Sequence, residues 1–143
     1  MLKQLSVFVE NKAGSVYEVA ETLHKAGVDI SALCIADTAR FGILRMIVDD
    51  PKKAMEILKE NGHTVSLTDV FAVCINDQPG GMIPLLKLFN EAGIGVEYMY
   101  AFVGKATLTA YVIVRVEETA KAQEILDRAG FGHLSQEELK NAL

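Results

Sequence analysis

The chain is written twice. Residues 5–30, "LSVFVENKAGSVYEVAETLHKAGVDI", lie over residues 71–96, "FAVCINDQPGGMIPLLKLFNEAGIGV", at an offset of 66 residues and without a gap. Gly14 then falls on Gly80, Ala26 on Ala92 and Gly27 on Gly93. Further on, "KAMEILKENG" (53–62) lies over "KAQEILDRAG" (121–130), where the offset has become 68. The two extra residues are assigned to a longer hairpin turn in "VGKAT" (103–107). A repeat of this length sets the architecture before any single residue does, because each copy has to form one supersecondary unit with its own apolar face to bury.

Both copies carry the same pattern of periods. "LSVFV" alternates, with Leu5, Val7 and Val9 on one face, as a half-buried strand does. After the loop, Val16, Val19, Ala20, Leu23 and Ala26 recur at helical spacing, and Met82, Leu85, Leu86, Phe89 and Ala92 repeat that stripe. Gly27 and Gly93 are expected to stop these helices. Two strand-like runs follow in each copy: 29–37 and 42–48, joined by "TARF", then 95–103 and 107–116. A second helix is expected from Pro51 behind Asp50 as N-cap, with its twin burying Ala122, Ile125, Leu126 and Ala129. "TVSL" (64–67) supplies a last strand for the first copy, whereas the second has only "FGHL" (131–134). Ser135 and Glu138 then spell a capping box for a short terminal helix. The order β-α-β-β-α-β predicts an α+β chain of two tandem ferredoxin-like (βαββαβ) units, with antiparallel sheets and helices on one face. The expected units are residues 1–68 and 69–143. The two should pack as one rigid body, since almost no linker separates "TVSL" from "FAVCIN".

A strand-to-helix loop with Asn or Asp, then Pro-Gly or Ala-Gly, then an apolar helix closing on Ala-Gly resembles the ACT domain. "ENKAGSVYEVAETLHKAGVDI" and "NDQPGGMIPLLKLFNEAGIGV" both show it, and the second matches more fully because Ala13 stands where the family often has proline. The resemblance covers essentially the whole chain and implies a stand-alone tandem-ACT protein that senses a small molecule. ACT units commonly bind amino acids where units meet, through this loop and the second strand of a neighbour. The positions so implied are Asn11, Ala13, Gly14 and Ser15 in the first loop, Asp77, Pro79, Gly80 and Gly81 in the second, and Ala32, Leu33, Tyr98 and Met99 on the strands.

Elementary chemistry gives the loop the same task. A helix N-terminus presents free N–H groups to a carboxylate, and glycines let a ligand approach them. Asp77 or Asn11 can accept a hydrogen bond from an α-ammonium group. On this view Gly80→Val abolishes the ligand response and spares the fold. The purely structural alternative is a turn shaped by Pro and Gly, with Ser15 and Glu18 as a capping box in "SVYE".

Other chemistries find little to work with. The formal net charge is −5, which opposes a nucleic-acid partner. RNA-binding relatives of this topology need exposed aromatics in a basic setting, and the first strands offer Phe8 and Cys74. The loops "NKAGS" and "DQPGG" hold no arginine for acylphosphatase-like chemistry. His24, His63 and His133 lack metal-ligand spacing and read as capping or surface residues. "DD" (49–50) and "EE" (117–118) read as solvated helix starts, and no serine has a triad arrangement. Cys34 and Cys74 read as core-filling thiols of a protein in a reducing cytoplasm. No apolar run approaches the ~20 residues of a membrane span, and no secretory leader is recognised. Tyr98, Tyr100 and Phe102 share one strand face. They read first as core, and otherwise as a dimer or ligand-lining surface.

The expectation is thus a non-enzymatic, cytoplasmic regulatory module with an amino acid as ligand, without catalytic residues, cofactor or metal. A homodimer is expected, with an enzyme or regulator as partner, and neither nucleic acid nor membrane. The alternative is an interaction subunit for an amino-acid-metabolism enzyme or transcription factor, with no small ligand.

Overall fold

The computed structural model describes residues 1–37, 39–104 and 108–142. Its elements run β1 (Leu2–Glu10), α1 (Ser15–Lys25), β2 (Ile30–Asp37), β3 (Phe41–Val48), α2 (Pro51–Glu60), β4 (Thr64–Asn76), α3 (Ile83–Glu91), β5 (Val96–Val103), β6 (Thr109–Val116), α4 (Thr119–Arg128) and α5 (Gln136–Ala142). They are the elements of two tandem ferredoxin-like units. The chain separates into two compact units, one of residues 3–68 and the other of residues 69–143 together with Met1 and Leu2.

In the first unit the strand order is β2-β3-β1-β4, with β3 antiparallel to both neighbours. Val7 and Val9 of β1, Leu44 and Met46 of β3, Val19 and Leu23 of α1, and Ala54 and Leu58 of α2 form one buried cluster. Alternation on the strands and the helical stripes therefore meet on the helix side of the sheet, where each fully buried aliphatic side chain contributes roughly 1.5–3 kcal/mol. In the second unit the order is β4-β6-β5, again antiparallel. Its core repeats the first with Phe71, Val73, Leu85, Phe89, Val112, Val114, Ala122 and Leu126.

Helix ends follow local rules. Asp50 caps α2 by accepting the Lys53 N–H at 3.1 Å, and Ser135 and Glu138 close a reciprocal box, with contacts of 2.8 and 3.3 Å, ahead of α5. α1 closes with Val28 N–H on the Leu23 carbonyl and Gly27 N–H on that of His24; α3 repeats the pair with Ile94 on Phe89 and Gly93 on Asn90.

The structure corrects several expectations. "TVSL" and "FAVCIN" are parts of one strand, β4, because the residues between them, Thr68 to Val70, keep the extended conformation and leave no turn. The final strand of the second unit shrinks to a bridge between His133 and Val73, flanked by Cys74 N–H on the Gly132 carbonyl and Leu134 N–H on that of Ala72. The serine capping box at α1 does not form. Gly14 is the N-cap, Ser15 is already the first helical residue, and no side chain caps the helix. Cys34 and Cys74 are free and half-buried rather than core residues. Burial pushes the Cys34 thiol above its ordinary value, against the opposing Arg45 guanidinium. Tyr98, Tyr100 and Phe102 are not core either. They are half-buried on the face opposite Met99, which packs against the cluster of Phe71 and Leu85. Of the longer turn expected at 103–107, residues 105–107 lie outside the described residues.

Candidate functional site

The two strand-to-helix loops are built to one plan, visible in hydrogen bonds that recur at the repeat spacing. Asn11 N–H donates to the Arg40 carbonyl at 2.9 Å, and Asp77 N–H to that of Leu108 at 2.8 Å. Lys12 N–H reaches Glu10 and Gln78 N–H reaches Asn76; Ser15 N–H reaches Lys12 and Gly81 N–H reaches Gln78. The loop of each unit is thus pinned at its start to the hairpin between the second and third strands. Its middle turns on a left-handed glycine, Gly14 at φ 90° and Gly80 at φ 80°, a conformation that side chains resist.

The loops differ where the helix begins. α1 starts at Ser15, whereas α3 starts at Ile83, the counterpart of Tyr17. Gly81 explains the delay, because a β-carbon there would overlap the Asn76 carbonyl oxygen. The chain stays tight to the end of β4 and enters the helix later, with Pro84 in the first turn. Neither helix start is capped by a side chain. Among the described residues, the N–H groups of Gly80 and Met82, and of Gly14 and Val16, have no hydrogen-bond partner. Free amides at a helix start carry the positive end of the helix dipole.

Over the second loop lies an open crevice of about 370 Å³. Asn76, Asp77, Gln78, Gly80 and Gly81 of the loop line it. Ile75, Met82, Ile83, Ala101, Phe102, Val103 and Ala110 form the rest of the lining. Three of the expected positions, Asp77, Gly80 and Gly81, are therefore brought together in one wall, and Pro79 stands between them in sequence but does not line it. Glycine at position 80 serves the backbone as well as any ligand, so Gly80→Val strains the turn itself and cannot separate the two roles.

A smaller crevice of about 280 Å³ opens in the first unit. It takes in Ser15 and Glu18 but not Asn11, Ala13 or Gly14, and its wall continues through Phe8, Phe41 and His63. Val9, Glu10, Lys12 and Ser15 of this lining are the counterparts of Ile75, Asn76, Gln78 and Gly81, whereas its other residues have no counterpart in the second crevice. Phe8 and Phe41 stack there with ring centroids 4.9 Å apart. The remaining expected positions are strand residues. Ala32 pairs with Ile47 and Leu33 with Met46; Leu33 is 52% exposed. Tyr98 stands opposite Arg115, which is tied to Glu97 at 3.1 Å, and Met99 faces its own core. None of these four lines either crevice.

Sequence reasoning missed the apolar wall, above all Ala101 and Ala110. The available signal was the alignment of the two copies, which sets Ala101 on Ile35. His133 was also misjudged as a capping or surface residue. It bonds Asp127 at 3.0 Å and Gln123 at 2.9 Å and meets the Phe71 ring edge-on, so it ties the segment after α4 back to that helix. Among the described residues no cluster of three potential metal ligands occurs, and no helix is long and apolar enough to cross a membrane.

A protein-family model described as an ACT domain pair matches residues 1–143. The chain therefore belongs to the ACT family, as an ACT domain pair, which is a regulatory module. It is similar to a solved protein from Bacteroides thetaiotaomicron, at 40% identity and a TM-score of 0.90, covering 96% of this chain and 94% of that one. The ligand-free regulatory subunit of aspartate kinase from Thermus thermophilus has the same fold at 16% identity and a TM-score of 0.63, covering 89% and 91% of the two chains. The regulatory subunit of aspartate kinase from Thermus flavus is similar in fold at 16% identity and a TM-score of 0.59, covering 90% and 94%. No curated protein matches the chain.

Proposed function

We propose that this chain is a non-enzymatic sensor that binds an amino acid against its strand-to-helix loops, chiefly the one from Asp77 to Gly81. The observation that carries the reading is the crevice of about 370 Å³ over a helix start that no side chain caps. An α-carboxylate fits the free Gly80 and Met82 amides, and the Asp77 carboxylate suits an α-ammonium group. In the first unit the same role falls to Asn11, Ala13, Gly14 and Ser15. A second copy of the chain, as homodimer, would bring Ala32, Leu33, Tyr98 or Met99 to complete the sites where ACT units meet. Ligand then favours one arrangement of units, which an enzyme or regulator partner reads as an allosteric signal. Sparse, unpaired cysteines suit a reducing cytoplasm.

Thermal unfolding of the chain against each of the twenty amino acids tests the proposal. A ligand present at 100 times its dissociation constant adds about 2.7 kcal/mol of stability and raises the midpoint. A flat response to all of them removes the sensor reading. One observation favours the alternative interaction subunit: Phe8, Phe41 and Ile43 are 49%, 41% and 38% exposed on one sheet face of the first unit. A flat response together with constant co-purification of one enzyme or transcription factor would support it.

A further inference from the structure

We infer, on the basis of the amino-acid reading above, that the crevice of the second unit selects an amino acid with a large apolar side chain, and that Ala101 is the residue that admits it. The comparison lies inside the chain. Aligning the copies sets Ile35 on Ala101 and Gly42 on Ala110. The registers agree, for Ile35 stands opposite Leu44 and Ala101 opposite Val112, its counterpart. In the first unit the Ile35 side chain folds over Gly42, with Cγ1 and Cδ1 3.3 Å from where a β-carbon on that glycine would stand. Isoleucine thus fills the space that glycine leaves. In the second unit alanine occupies both places, and the crevice opens beside them. A truncation of one strand residue between the copies makes the room.

The wall around that room is largely apolar, and several of its apolar side chains stand in water. Ile83 is 61% and Val103 71% exposed. The polar side chains of the lining all come from the loop segment Asn76–Gln78, so a bound amino acid would lay its charged backbone there and its side chain along Ile83, Ala101 and Val103. An apolar side chain gains by covering these groups. A lysine or aspartate side chain laid in the same place would lose hydration with no partner in that wall.

Calorimetric titration of the full chain with phenylalanine, methionine, leucine, lysine and aspartate tests the inference. At least one of the three apolar amino acids should bind ~10-fold or more tightly than lysine or aspartate, a difference of about 1.4 kcal/mol. Ala101→Ile should weaken that ligand at least ~10-fold, with the melting midpoint showing how far the Ala110 β-carbon, which Gly42 lacks, crowds the new side chain. Ala101→Val should fall between, and stands in if the larger residue unfolds the chain. Lysine or aspartate binding as tightly as the apolar amino acids overturns the inference and leaves the sensor reading standing. So does apolar binding that ignores Ala101→Ile. Absence of binding by all five, together with a flat thermal response to all twenty amino acids, overturns both.

Discussion

A β-carbon built on Gly81 would overlap the Asn76 carbonyl oxygen, whereas one built on Gly80 meets nothing within 4 Å. The two glycines of "NDQPGG" therefore do different work. Gly80 supplies a left-handed turn at φ 80°, which alanine adopts at a cost of roughly 1–2 kcal/mol. Gly81 supplies closeness, and alanine there has to push apart the end of β4 and the turn it closes, at a cost above about 2 kcal/mol. Urea titration of the two alanine variants should rank Gly81→Ala well below Gly80→Ala in stability; the reverse order would show that the turn conformation dominates. The dipeptide announced a special loop in the sequence, but which glycine is indispensable depends on a carbonyl five residues away.

Among the elements, the C-terminal portion of the second unit is held by exposed carboxylates. Asp127 accepts from Gln123 at 3.1 Å and bonds His133 at 3.0 Å, and these contacts hold its carboxyl below the ordinary 3.8. Glu138 accepts the Ser135 N–H at 2.8 Å, and that bond, with the serine hydroxyl contact, holds it below 4.5. Both values are depressed by folding, so each group contributes stability that is complete above its unfolded value and lost as pH falls through the folded one. Melting midpoints measured from about pH 6 down to pH 2 should show Asp127→Asn and Glu138→Gln below wild type at the upper end, the gaps closing on acidification. A gap that stays constant with pH would show that neither carboxylate is linked to folding. Ser135 and Glu138 were readable as a capping pair from their spacing alone, because such a box is a local affair. Ser15 and Glu18 carry the same letters at the same spacing and form none. Gly14 takes the cap position instead, at φ 90°, and Ser15 is already the first helical residue.

For the molecule as a whole, duplication supplies two loops of one plan but not two equal crevices. Ile35 fills over Gly42 the place that Ala101 leaves open, and the first unit's cavity lies along Phe8, Phe41 and His63 instead. A calorimetric titration with the preferred amino acid should therefore give close to one ligand per chain at the tight site. A stoichiometry of two with equal affinities would show that the first loop binds without that space. The apolar sheet face at Phe8, Phe41 and Ile43 is a second inequality, since its counterparts Cys74 and Tyr111 in the second unit are half-buried.

By itself the sequence determined the duplication, the order of strands and helices, the two cores and the loops that begin each copy. These depend on periodicity and on backbone preferences of proline and glycine, which act over a few residues and repeat. The tertiary structure alone decided that "TVSL" and "FAVCIN" form one strand, that Tyr98, Tyr100 and Phe102 stand outside the core, and that a crevice opens at Ala101. Each of these depends on which side chain faces which across neighbouring strands. Side chains far apart in the chain share that space, and no local pattern records how they divide it.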